Sequence, residues 1–118
     1  MKRYVKLVVL SALPIFAADD FSGSWKIEGD IAGNAVNRVC KIKQEGVHLS
    51  GSCTGDDKSY DLTGDVDGKK ITFKHGGEYN GGALTISYAG TLGSDGAIKG
   101  AMDVEPYGAT GDFKATKN

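Results

Sequence analysis

The chain has 118 residues, 40% hydrophobic and 25% charged, with 18 glycines and two prolines. That length suits one domain and not two. The formal charge is −1, and no basic run lies beyond the first residues, which argues against nucleic acid or anionic lipid as a partner.

The first residues read as an export signal. Lys2, Arg3 and Lys6 form a positive start, and the eleven residues Leu7–Ala17 form an apolar run too short to span a bilayer. Ala17 and Ala18 are small enough for cleavage. The expectation is a signal peptide over 1–18 and a single domain over 19–118, with no stable membrane span after processing and a periplasmic or extracellular destination. Removing the three basic residues leaves 11 Lys+Arg against 15 Asp+Glu, a formal charge of −4.

The remainder is punctuated by glycine and alternates apolar with polar residues, the period of strands. Eight strands are expected in order: Asp20–Glu28, Ala35–Gln44, Val47–Thr54, Ser59–Val66, Lys69–His75, Ala83–Leu92, Ala97–Val104 and Ala109–Thr116. GDIAGN and GGEYNGG read as longer connections, and Asp67-Gly68 as a tight hairpin. One face collects Phe21, Trp25, Ile42, Leu49, Leu62, Phe73, Tyr88, Met102 and Phe113. The other is mostly Ser, Thr, Asp and Lys, as in an antiparallel sheet with one buried face.

Six glycines fall on the apolar face: Gly23, Gly51, Gly64, Gly90, Gly100 and Gly111. Glycine weakens a strand interior, so six of them need a geometric cause. A sheet that curls into a barrel crowds its concave face, and glycine there permits sharp bending beside large neighbours. The fold expected is an all-β, eight-stranded, up-and-down antiparallel barrel. The alternative is a sandwich with glycines at bulges.

Cys40 and Cys53 are the two cysteines. An even count in an exported chain favours a disulfide, and their spacing does not match CxxC. Pairing them in one hairpin also pairs Ile42 with Gly51 and Gln44 with Leu49, so inward residues meet inward residues.

Gly23-x-Trp25 on the first strand, ahead of up-and-down strands, resembles the calycin group of lipocalins, avidins and fatty-acid-binding proteins. That resemblance implies that Trp25 packs against a basic residue of the last strand. Lys117 or Lys114 stands where arginine is usual, with Arg38 as a possible substitute. The set Gly23, Trp25, Cys40, Ile42, Leu49, Gly51, Cys53, Gly111, Phe113 and Ala115 resembles small secreted bacterial barrels of largely uncharacterised function. The first half is also similar to bacterial inhibitors of secreted metalloproteases, which implies an N-terminal segment that enters a protease cleft.

Nothing in the chain assembles a catalytic constellation. HExxH, GxSxG and GxGxxG are absent from the sequence. Asp65-Val-Asp67-Gly68 lacks the later ligands of a calcium loop. His48 falls near a hairpin tip, and His75 ends the fifth strand beside GGEY. Glu78 and Asp103 are further metal ligands by type only. No enzyme, cofactor or metal is expected. The inward polar residues Arg38, Tyr60, His75 and Tyr88 are the ligand-binding candidates, able to read the polar end of a small apolar or amphipathic molecule at one mouth. The rival is a protein-facing module, such as an inhibitor of a secreted hydrolase.

Overall fold

The computed structural model describes residues 20–55 and 58–118. The expected signal over 1–18 lies outside them. Eight strands follow in order: β1 Gly23–Ile31, β2 Asn34–Glu45, β3 His48–Gly55, β4 Lys58–Asp67, β5 Lys70–Tyr79, β6 Gly82–Leu92, β7 Ile98–Glu105 and β8 Ala109–Lys117. Each pairs antiparallel with the next, and β1 pairs with β8, so the sheet closes into a barrel without a free edge.

The axis-facing glycines explain how the walls approach. A Cβ on Gly100 would lie 1.9 Å from the Ala89 carbonyl oxygen, and one on Gly111 1.9 Å from that of Asp30. Both neighbours are backbone, which cannot swing aside. Gly90 and Gly100 face each other across β6 and β7. The space they leave is filled by Phe73, Tyr88, Met102 and Phe113, all buried. Phe73 stacks on Tyr88 at 4.4 Å between ring centroids, and Phe113 meets Tyr88 edge-on at 5.2 Å. The waist of the barrel is therefore packed.

Cys40 and Cys53 face each other across β2 and β3 and are joined by a disulfide. Ile42 opposes Gly51 and Gln44 opposes Leu49. Two connections differ from expectation. The first strand runs on to Ile31 and turns at Ala32-Gly33, while the fifth runs on to Tyr79 and turns at Asn80-Gly81. Both turn pairs have positive φ, 52° and 88° in the first and 52° and 80° in the second. Such two-residue turns match the right-handed twist of the flanking strands. The glycine-rich stretches are mostly strand, and Gly77 faces Leu84 so closely that a Cβ would sit 2.8 Å from Leu84 Cδ1.

The two ends of the barrel differ. At one end Phe21 is fully buried against Trp25, whose Nε1 donates to the Phe21 carbonyl at 2.8 Å. Phe21 N donates to Gln44 Oε1, and Gln44 N donates to Ser22 Oγ, which pins the entering chain across the opening. Lys117 Nζ lies 5.1 Å from the Trp25 ring centroid and donates to the Ser22 carbonyl. Lys114 pairs with the outward Lys99 and does not reach the floor. Nor does Arg38, which pairs with Ile27 further up β1. The floor is thus sealed from its own strands.

Candidate ligand site at the open mouth

The hairpins β1–β2, β5–β6 and β7–β8 all turn at the end opposite the floor. There the inward side chains diverge and leave a cleft of about 300 Å³. Its walls are Ile31, Val36, Leu84, Ile86 and Val104. Tyr79 and Tyr107 stand at its rim, 60% and 53% exposed, with rings edge-to-face at 5.9 Å. Glu78 also reaches the cleft, and its carboxylate is held by the Lys58 ammonium. The volume lies at the low end for small-molecule sites.

Arg38 is the cation of this cleft. The alternation of β2 turns Val36, Arg38, Cys40 and Ile42 to the same face, and Arg38 is the charged member nearest the mouth. Its guanidinium lies over the end of β3, where a Cβ on Gly55 would come 2.7 Å from Nη1. Its Nε is buried without a hydrogen-bond partner. Among the described residues, no carboxylate comes within ion-pair distance of it.

Beneath Arg38 lie His75 and Tyr88. His75 Nδ1 is 2.7 Å from the Gly76 carbonyl oxygen, and Nε2 is 2.8 Å from the Tyr88 hydroxyl. A carbonyl can only accept, so Nδ1 carries the proton and the tyrosine hydroxyl donates to Nε2. Burial holds His75 below its ordinary value, opposed by the bond to Gly76 and reinforced by the charge of Arg38. Burial pushes the Tyr88 phenol up to about 12, although the adjacent Arg38 guanidinium favours the phenolate. The pair is therefore neutral under ordinary conditions, and of these three groups Arg38 carries the charge.

Of the residues singled out in the sequence, Arg38 lines the cleft, while His75 and Tyr88 support it from below. Tyr60 lies alongside His75, with centroids 6.4 Å apart and ring planes 27° from parallel, and does not line the cleft. His75 sits within β5 and is only 2% exposed, because the strand continues past it to Tyr79. His48, at the start of β3, is exposed and bonded to Asp65 of β4 at 3.1 Å. Among the described residues, no three His, Cys, Asp or Glu side chains gather as a metal site. No helix among them is long and apolar enough to cross a membrane. Tyr79 and Tyr107 are site residues that strand-face reasoning passes over, since both lie beside turns. Hairpin parity could have found them, because EYNG and EPYG must emerge at the same end.

A wider hollow of about 540 Å³ lies on the outer wall over β3–β7. It is an open depression of mixed lining, where Leu49 and Phe73 lie beside Thr63, Asp65, Lys74, Ala89 and Ala101. It contains no unpartnered buried group, whereas the mouth does.

In comparisons with known proteins, no family model, no curated protein and no solved structure matches the chain.

Proposed function

We propose that this is an exported, non-enzymatic barrel that binds one small apolar or amphipathic molecule at its open mouth. The observation that carries this reading is the asymmetry of the ends: the floor is sealed by Phe21, Trp25 and Lys117, while the opposite end keeps an apolar cleft above a packed waist. Apolar walls with a few convergent polar groups are the usual make-up of a small-molecule site. The disulfide fits an oxidising compartment, which agrees with the export reading of residues 1–18. The calycin resemblance supports the same use of the barrel.

The protein-facing alternative receives less support. It would use loops or the N-terminal segment, and the described end of that segment is held down: Phe21 is fully buried and Ser22 is tied to Gln44 and Lys117. A fluorescence displacement screen with the dye anilinonaphthalene sulfonate, across lipids, sterols, vitamins and aromatic acids, tests the binding reading. Saturable displacement that is lost when Leu84→Trp fills the cleft is expected. No saturable binder in any class would remove it.

A further inference from the structure

We infer that the mouth cleft selects a small amphipathic carboxylate, with the acid group turned inward to the Arg38 guanidinium and the apolar part between the tyrosine rim and the aliphatic walls. This rests on the mouth being a ligand site and goes further by naming the chemistry of the head group.

Four observations converge. A guanidinium is always charged; Arg38 is half-buried, and the part of the group withdrawn from water, Nε, is costly to leave unpaired. Arg38 Nε has no partner, and no described carboxylate reaches the group. The groups below it do not neutralise it: the Tyr88 hydroxyl lies within hydrogen-bonding reach of the guanidinium, but burial disfavours its phenolate, and the lone pair of His75 is occupied by Tyr88. The acid that does line the cleft, Glu78, is bound by Lys58. Among the described residues, the cleft therefore carries one positive charge that no carboxylate compensates, within mostly apolar walls. A planar carboxylate fits the guanidinium fork with two parallel hydrogen bonds, and such charge-assisted bonds are the strong ones.

Size narrows the class. A cleft of about 300 Å³ has the volume of roughly ten water molecules at liquid density. The stacked Phe73 and Tyr88, with Phe113 against them, block extension down the axis. A long chain would have to leave through the mouth, past Tyr79 and Tyr107. A short aliphatic or a monocyclic aromatic acid fits entirely.

The test is calorimetric titration of the intact, disulfide-bonded protein with octanoate, octanol and octylamine, and with phenylacetate and phenylacetamide. The expected result is a carboxylate preference of about tenfold or more over the neutral and cationic partners, the scale of a charged hydrogen bond. Arg38→Met should abolish the preference for the acid over its neutral partner, and Arg38→Lys should retain part of it. Far-ultraviolet circular dichroism and a cooperative melt show whether Arg38→Met is folded. If that variant does not fold, the Arg38→Lys protein and the wild-type preference decide. Equal affinity for acid and alcohol overturns the head-group inference and leaves the mouth site standing. No binding of any probe overturns both. Asp56 and Asp57 follow Gly55 in the chain, so Asp56→Asn/Asp57→Asn is measured alongside. A carboxylate preference present only in that variant overturns the inference for the native protein, because Arg38 would then be satisfied internally. The relative affinities of octanoate and phenylacetate distinguish an aliphatic from an aromatic ligand.

Discussion

The Tyr88 hydroxyl donates to His75 Nε2 at 2.8 Å, and both side chains are shut away from solvent. This bond fixes the imidazole as a neutral acceptor beneath Arg38. Tyr88→Phe keeps the ring that stacks on Phe73 and removes the donor. The lone pair of His75 is then buried unpaired, at a cost of about 1–3 kcal/mol. Urea unfolding should show a lower midpoint with an unchanged slope; an unchanged midpoint would contradict the assignment of donor and acceptor.

The same site makes stability depend on pH. Burial lowers the folded pKa of His75 below the ordinary 6.5, and the Arg38 charge adds to this. As pH falls through 6.5 the unfolded chain takes up the proton first, so its free energy drops relative to the folded state. The contribution of His75 is complete above about 6.5 and declines as pH falls from there toward the folded value. Melting temperatures of the wild type and His75→Gln should converge over that window as acid is added. A difference that widens on acidification would reverse the sign and refute this picture.

Crowding inside the wall gives a third expectation. Gly100→Ala places a methyl carbon 1.9 Å from the Ala89 carbonyl oxygen, where backbone must move. Gly82→Ala meets the Tyr107 hydroxyl at 3.1 Å, the end of a side chain that can turn away, and the Tyr79 carbonyl oxygen at 3.4 Å, an ordinary contact. The first should cost about 1–3 kcal/mol or more, and the second well under that. Chemical denaturation of the two variants measures it, and equal costs would contradict the close approach of β6 and β7.

The disulfide closes a loop of about 14 residues, worth roughly 3 kcal/mol in the chain-entropy view. Cys40→Ala/Cys53→Ala should lower stability by about that amount and leave the far-ultraviolet spectrum that of a sheet. Loss of all strand signal at ordinary temperature would show that the barrel depends on this bond more than its packed interior implies.

Much of this architecture was legible because inward glycines, alternating residues and a cysteine register point the same way. Trp25 announced the floor, and strand parity selects Lys117 over Lys114 once β8 is placed. The mouth was harder to read. GDIAGN and GGEYNGG resemble loops by composition, yet Ala32 and Asn80 adopt positive φ and turn the chain in two residues. That lengthens β5 and carries His75 from a presumed strand end into the interior. Tyr79 and Tyr107 escaped notice because their role comes from which turns share an end, a property of the closed barrel and not of either segment. That no carboxylate among the described residues reaches Arg38 is a matter of side-chain placement, and no sequence pattern reports that.

Binding at the mouth is tested most directly by mapping amide shifts in ¹⁵N-labelled protein during titration with anilinonaphthalene sulfonate. Saturable shifts should concentrate at Ile31, Val36, Arg38, Tyr79, Leu84 and Tyr107. Shifts gathered instead around Thr63, Ala89 and Ala101 on the outer wall, or no saturable shifts at all, would contradict it.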